Sequence, residues 1–428
     1  MRKLLLALIW TNFIIGIQAQ TVLEEIRQNP VLSSSNYMAY PGPLQKKLTP
    51  APKGMKPFYI SHYGRHGSRF HSKPSIYNAP YLTLSKADSL GKLTPLGHDV
   101  MMRLDRIRKN AEYHWGDLTP LGARQQQEIG KRMMTRFPEV FQGAADIDAR
   151  STGVGRCVLS MENMLLQMLR INSHLNIHQD ATHRDMYFLN YQDKPLFALK
   201  KNKASIDIIE KYKERHIKNN HLTQLLFNDS VYVRDHVNSI EFGSQLLIVA
   251  AIMPGTELGK EVTLFDVFTI DEIYGIWRAG NVYWYVGYGA CPVNGGVQPY
   301  TQRNLLRKLI TDADSCILQS KTNVQLRFGH ETVLMPLVCL LDINGFGVAV
   351  DDLELLEEKG WANYRIFPMA SNVQFIFYRR DKNDRDVLFK VLLNENEVTL
   401  PLPGSQAPYY RWSDFRDYYL KKLDAYEN

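Results

Sequence analysis

The sequence predicts an α/β layer fold with an inserted helical cap, and three observations predict it. Short apolar runs end at glycine-punctuated loops and lead into amphipathic helical stretches, the alternation of a sheet covered by helices. That alternation breaks near residue 181, where lysine-rich helical sequence and then aromatic, glycine-punctuated sequence run to about 289. It resumes afterwards, so the expected core is discontinuous, 20–180 with 290–428, and 181–289 is the cap. With 428 residues the chain exceeds what one hydrophobic core usually serves.

The chain opens MRKLLLALIWTNFIIGIQAQ, a basic start followed by an apolar run and a small residue, Ala19. Residues 1–19 read as a secretory signal peptide, too short for a comfortable membrane span; an anchor that stays attached is the other reading. Export to the periplasm or the extracellular space is therefore expected, with no membrane attachment after cleavage. The formal charge of +7 includes Arg2 and Lys3 of this segment, and the remaining surplus suits anionic substrates. Cys157, Cys291, Cys316 and Cys339 match no zinc-site spacing. They permit three fully paired connectivities, and buried free thiols are an equally open reading.

In chain order, Lys56 to Tyr63 reads as a strand ending in the loop SHYGRHGSRF. Thr119 caps a helix whose first position is Pro120, with Leu121, Ile129 and Met133 on one face. The loop DIDARSTGVGR precedes the helical run CVLSMENMLLQMLR. After the cap come a helix in QRNLLRKLITDADSCIL, a strand in NVQLRFG and a helix in HETVLMPLVCLL. NVQFIFYRR and VLFKVLL continue the sheet, and a short helix begins at Ser413.

The chemistry gathers at two strand ends, where open α/β sheets bind ligands. Arg65-His66-Gly67-Ser68-Arg69 follows one strand and His330-Glu331 another; Arg150 lies in the second loop. Guanidinium forks match phosphate oxygens, and a phosphate monoester brings about −1.5 to −2 charges, enough to hold two or three arginines together. Gly67 allows close backbone approach, His66 offers a nucleophilic ring nitrogen, and Glu331 offers a proton to a departing alkoxide. A helix beginning near residue 331 would point its positive end at the same anion.

RHGSRF resembles the RHGxRxP signature of the histidine acid phosphatases, in the branch of the phytases and multiple inositol polyphosphate phosphatases. LTPLGARQQQEIGKRM, ARSTGVGRCVLS and FGHETVLMPL resemble further segments of that branch, in the order it requires. The resemblance implies a phosphoglycerate-mutase-like three-layer α/β core under a helical cap. It also implies that His66 is the nucleophile, Arg65, Arg69 and Arg150 the phosphate clamp, His330 a donor to a phosphate oxygen and Glu331 the proton donor. Arg156 competes with Arg150, whose DxDARS context favours it. The chain departs from the family at His71, where a proline is usual, and at His330-Glu331-Thr332, where His-Asp or His-Ala-Glu is usual.

Other catalytic signatures are missing: position 334 is Leu rather than a second metal-binding His, GTELGK is not a P-loop, and no G-x-S-x-G elbow occurs. Neither a metal nor another cofactor is called for, and nucleic acid is not an expected partner. The expected partner is a small phosphate ester and the expected reaction a two-step hydrolysis through phosphohistidine. An inositol polyphosphate is the first choice of substrate, with Arg184 and the lysines of 200–214 as a basic rim, unless those lysines are a solvated helix face. The rivals are a broad acid phosphatase acting on sugar phosphates or nucleotides, and a phosphate-ester-binding protein that has lost turnover. Oligomeric state is open.

Overall fold

A computed structural model describes residues 21–319, 322–402 and 407–427. The expected signal peptide therefore lies outside the described residues. At the centre is one sheet, ordered β3-β2-β4-β1-β5-β6-β7. Its members are β1 (Lys56–Arg65), β2 (Asp146–Ser151), β3 (Asn176–Asp180), β4 (Val324–Gly329), β5 (Asn372–Arg379), β6 (Leu388–Leu393) and β7 (Asn396–Glu397), with β8 (Tyr410–Arg411) pairing to β6. β3, β2, β4 and β1 run parallel, and β5 and β6 continue antiparallel.

The register of β1 on β4 matters most. Arg65 stands opposite Gly329, so the two loops that carry His66 and His330 leave the sheet side by side. The backbone N–H of His66 donates to the Gly329 carbonyl at 3.0 Å, which fixes the first loop to the end of the second strand.

Helices cover both faces, as alternating strand residues require. On one face Ile60, Ile147, Ala149 and Leu326 pack against Ile129, Met133, Met161 and Met164 of the helices Pro120–Arg136 and Gly155–Ile171. On the other, Tyr59, Phe375, Phe377 and Phe389 pack with the helices Arg303–Gln319, Glu331–Leu340 and Trp412–Glu427. This is the three-layer arrangement expected.

Two sequence expectations change. DIDARS is not a loop but strand β2; its polar positions Asp148 and Arg150 alternate with buried Ile147 and Ala149, so charge on one face masked a strand. The helical layer also extends beyond 181–289. Val22, Ile26, Leu84, Val100 and Leu104 share one apolar cluster with Leu222, Leu246, Ile273 and Trp277. Amphipathic helices at Pro74–Ser89 and Pro95–Asn110 could bury their apolar faces only by joining the later helices. All four cysteines are free and buried.

Candidate active site

The loop after β1 is held by the turn LTPLG at 118–122. Thr119 accepts from the Gly122 N–H at 3.1 Å to cap the helix Pro120–Arg136, and its hydroxyl lies 2.7 Å from the Gly255 carbonyl and 3.1 Å from that of Ser68. Gln126 donates to the Arg65 carbonyl at 2.9 Å, and the Ser68 N–H donates to Gln125 at 2.9 Å. A Cβ on Gly67 would stand 2.3 Å from the Gly122 carbonyl oxygen. The glycine expected to admit a ligand thus admits a helix terminus. The same LTPLG string occurs at 93–97, where Thr94 again caps a helix and a Cβ on Gly97 would stand 2.1 Å from a carbonyl oxygen. That repeat is readable in the sequence itself.

His66 is fully buried. Its Nδ1 lies 2.9 Å from the Gly67 carbonyl, a geometry that places the ring proton on Nδ1 and leaves the Nε2 lone pair outward. Nε2 has no hydrogen-bond partner among the described residues. Burial pushes the His66 pKa well below its ordinary value, and Arg65, Arg69 and Arg156 push it further, so the ring is neutral.

Arg65, also fully buried, is anchored by Nη1 to the carbonyls of Asn36 at 2.6 Å and Phe367 at 2.9 Å. Its Nε lies 3.0 Å from Glu331 Oε2, and that oxygen is 3.8 Å from His66 Nε2. Arg69 donates to the Phe70 carbonyl at 2.8 Å, and its guanidinium lies 5.6 Å from the Tyr37 ring centre. The rings of His66 and His330 stand edge to face, 5.6 Å apart.

Glu331 sits at the start of the helix Glu331–Leu340, with His330 as N-cap. Burial raises its pKa, but Arg65, Arg69 and His330 outweigh that and bring it down to about 2. His330 is lowered to about 4, by burial first, then against the pull of Glu331 by Arg156, Arg65 and Arg69. Several buried polar atoms here lack a hydrogen-bond partner among the described residues: Arg65 Nη2, Arg69 Nε, Arg156 Nε, His330 Nδ1 and Ser68 Oγ. Three guanidinium charges against one carboxylate leave a surplus of two positive charges around a neutral imidazole. A phosphate monoester dianion supplies that charge and enough acceptor oxygens for these donors.

The structure brings together His66, Arg65, Arg69, His330 and Glu331, and it does not bring Arg150 to them. Arg150 is ion-paired with Asp148 at 2.7 Å, Asp180 at 3.3 Å and Asp185 at 3.7 Å. It lines a polar cavity of about 130 Å³ with Arg184, Lys308, Asp312 and Arg327. As a strand residue in register with Arg327, it projects from the sheet face opposite to Ala149. Arg156, six residues later and past the strand end, acts on both His66 and His330. Arg184 is mostly exposed, pairs with Asp185 at 3.6 Å and shares the cavity of Arg150 rather than the histidine cluster.

His71, at the family's proline position, has a local reason. Its backbone N–H donates to the Tyr77 hydroxyl at 2.8 Å, a bond proline cannot make, and its Nε2 lies 3.0 Å from the Ile248 carbonyl. The catalytic loop is thereby tied to the helical layer.

A buried imidazole facing a cluster of arginines, with a carboxylate at a helix start beside it, defines a phosphate-monoester site on an α/β scaffold. The chain belongs to the histidine phosphatase superfamily (branch 2), whose sequence profile matches residues 64–246 and 258–394. It is accordingly a phosphoric monoester hydrolase by class. Among solved structures it is similar to the multiple inositol polyphosphate phosphatase of Bifidobacterium longum in its apo form. That pair is 18% identical with a TM-score of 0.73, covering 89% of this chain and 96% of the other. The inositol hexasulfate complex of the same enzyme gives 17% identity and a TM-score of 0.68 over 89% and 96%. The phytase of D. castellii gives 14% identity and a TM-score of 0.70 over 96% and 89%. At such identities these likenesses establish the fold. No curated protein sequence matches the chain.

Proposed function

We propose that this protein is an exported phosphatase that removes phosphate from an inositol polyphosphate through a phosphohistidine intermediate. The observation that carries the mechanism is His66 itself: neutral, buried, its Nδ1–H engaged by Gly67 and its Nε2 free among three arginines.

In this reaction Nε2 attacks phosphorus in line and the bond to the ester oxygen breaks. Arg65, Arg69 and Arg156 hold the equatorial oxygens, with His330 as a further donor. The leaving alkoxide takes a proton from Glu331. Water then attacks the phosphohistidine, Glu331 takes the water's proton, and the N–P bond breaks to release phosphate. Glu331 is ionised beside the arginines alone; a bound phosphate draws on the same cations, adds negative charge nearby and raises the carboxyl toward protonation. Activity is therefore favoured on the acid side.

A solved structure of similar fold is a complex of a multiple inositol polyphosphate phosphatase with inositol hexasulfate. Export rests on the sequence of residues 1–19.

The test is phosphate release from inositol hexakisphosphate and from a simple aryl phosphate, both carrying labelled phosphate, with alkaline quench to trap the acid-labile phosphohistidine. The wild-type protein is expected to turn over the inositol ester faster and to carry label on His66. Hydrolysis that survives in His66→Ala excludes the mechanism; a preference for the aryl ester selects a broad acid phosphatase. Anion binding without hydrolysis at any pH selects a binding protein.

A further inference from the structure

Cys157 has no part in the reaction above, yet it is fully buried at the third position of the helix Gly155–Ile171, against the site. Its Sγ lies 3.4 Å from the Gly329 carbonyl oxygen and 3.7 Å from Nε2 of His330. The other ring nitrogen of His330, Nδ1, is buried without a partner among the described residues.

We infer that Cys157 is a positioning residue for His330, holding the ring through Nε2 so that Nδ1 is the nitrogen presented to an ester oxygen. The inference rests on the phosphatase reading of the site. Its chemistry follows from the hydrogen-bonding capacity of a thiol. Burial pushes the Cys157 pKa up to about 11, so the group remains S–H and donates to the Gly329 carbonyl. The sulfur lone pairs then face His330 and accept its Nε2–H, a weak but directional contact. This selects the Nε2–H tautomer of the neutral ring. Protonation adds the second hydrogen at Nδ1, where it can be donated to phosphate.

The same two contacts couple the helix Gly155–Ile171 to the end of β4. Gly329 precedes His330 directly, and Arg156 of that helix is the neighbour of Cys157. The sulfur therefore fixes the spacing between an arginine and a histidine that address one anion. His330 is also faced by His66, Glu331, Arg156, Arg65 and Arg69, which together with burial set its charge, whereas the thiol sets its orientation and tautomer.

The test compares wild type with Cys157→Ser, which keeps a hydrogen-bonding group, and Cys157→Val, which fills the space without one. The first readout is the ¹⁵N shifts of the His330 ring in the resting protein, which report its tautomer. The second is the pH dependence of kcat on the phosphate ester that wild type turns over best. Wild type and the serine variant are expected to show Nε2–H; the valine variant is expected to lose that preference, to drop kcat about tenfold and to shift the pH profile. Unchanged tautomer and pH profile in a folded Cys157→Val overturn the inference. If wild type hydrolyses no ester, the phosphatase reading fails instead, and the ring shifts still decide the placement of His330.

Discussion

Glu331 and Arg65 form a buried ion pair, Oε2 to Nε at 3.0 Å, with the same carboxylate oxygen 3.8 Å from the ring nitrogen of His66. The proposed proton donor thus stands where it also competes with an incoming anion for the cationic cluster. Replacing Glu331 by Gln keeps the shape but raises the positive surplus by one charge. Hydrolysis is expected to fall about 10²–10³-fold, while tungstate inhibits several-fold more tightly at neutral pH. Steady-state kinetics with tungstate as competitor measure both, and weaker tungstate binding would show that the carboxylate does not oppose anions.

Arg156→Ala is expected to lower kcat/KM about 10²-fold, because it removes a cation acting on both His66 and His330. Arg150→Ala is expected to leave kcat/KM within about threefold but to lower the melting temperature. It strips the counter-charge from Asp148, Asp180 and Asp185, the last of which is buried. Parallel kinetics and melting curves separate the two arginines; the reverse pattern would return Arg150 to the clamp.

Turnover is expected to decline as pH rises from acid to neutral. Burial and the arginines hold His66 far below its ordinary pKa, so acid does not silence the nucleophile, whereas the donor loses its proton as pH rises. A kcat–pH profile that rises toward neutrality would mean that protonation of His66, not of Glu331, limits the rate.

Stability is expected to fall with acid for a different reason. His62 is buried beside Phe328 with neither ring nitrogen hydrogen-bonded among the described residues, and burial lowers it to about 3. A folded pKa below the unfolded 6.5 means the unfolded chain binds more protons as pH drops below 6.5. By pH 4.5 this one group costs about 3 kcal/mol. In His62→Leu the stability gap between pH 7 and pH 4.5, measured by urea unfolding, is expected to shrink by about that amount. An unchanged gap would assign the acid sensitivity to other groups.

Gly67→Ala is expected to destabilise the fold and to lower activity together, because the new Cβ would press on the Gly122 carbonyl at 2.3 Å. Both partners are backbone, so neither yields as a flexible side chain would. Thermal melting beside kcat tests this; a stable but inactive variant would show that the glycine serves the ligand rather than the packing.

Much of the site was legible because its chemistry is local. RHGSRF and HET each place their functional groups within a few residues, after apolar strand signals that also proved correct. The DxDARS context favours Arg150 only while DIDARS is read as a loop, since a strand sends alternate side chains to opposite faces. Once DIDARS is strand β2, Arg150 points to the acidic face and the third cation must come from beyond the strand end. That the helices at 74–110 join the cap is not legible in the sequence, because an amphipathic face does not say what will cover it.

By itself the sequence determined the layer class of this protein, the two strand ends that bear its histidines, and the order in which its family motifs appear. Periodicity and short motifs fix these, since they depend on bonds and neighbours within a turn or two. Only the tertiary structure decided that Arg156 joins His66 while Arg150 is neutralised by aspartates, and that Glu331 lies against Arg65. Those outcomes follow from register and helix docking, which set Arg156 beside His66 and Glu331 beside Arg65 although they lie 90 and 266 residues apart in the chain, and no local pattern encodes such meetings.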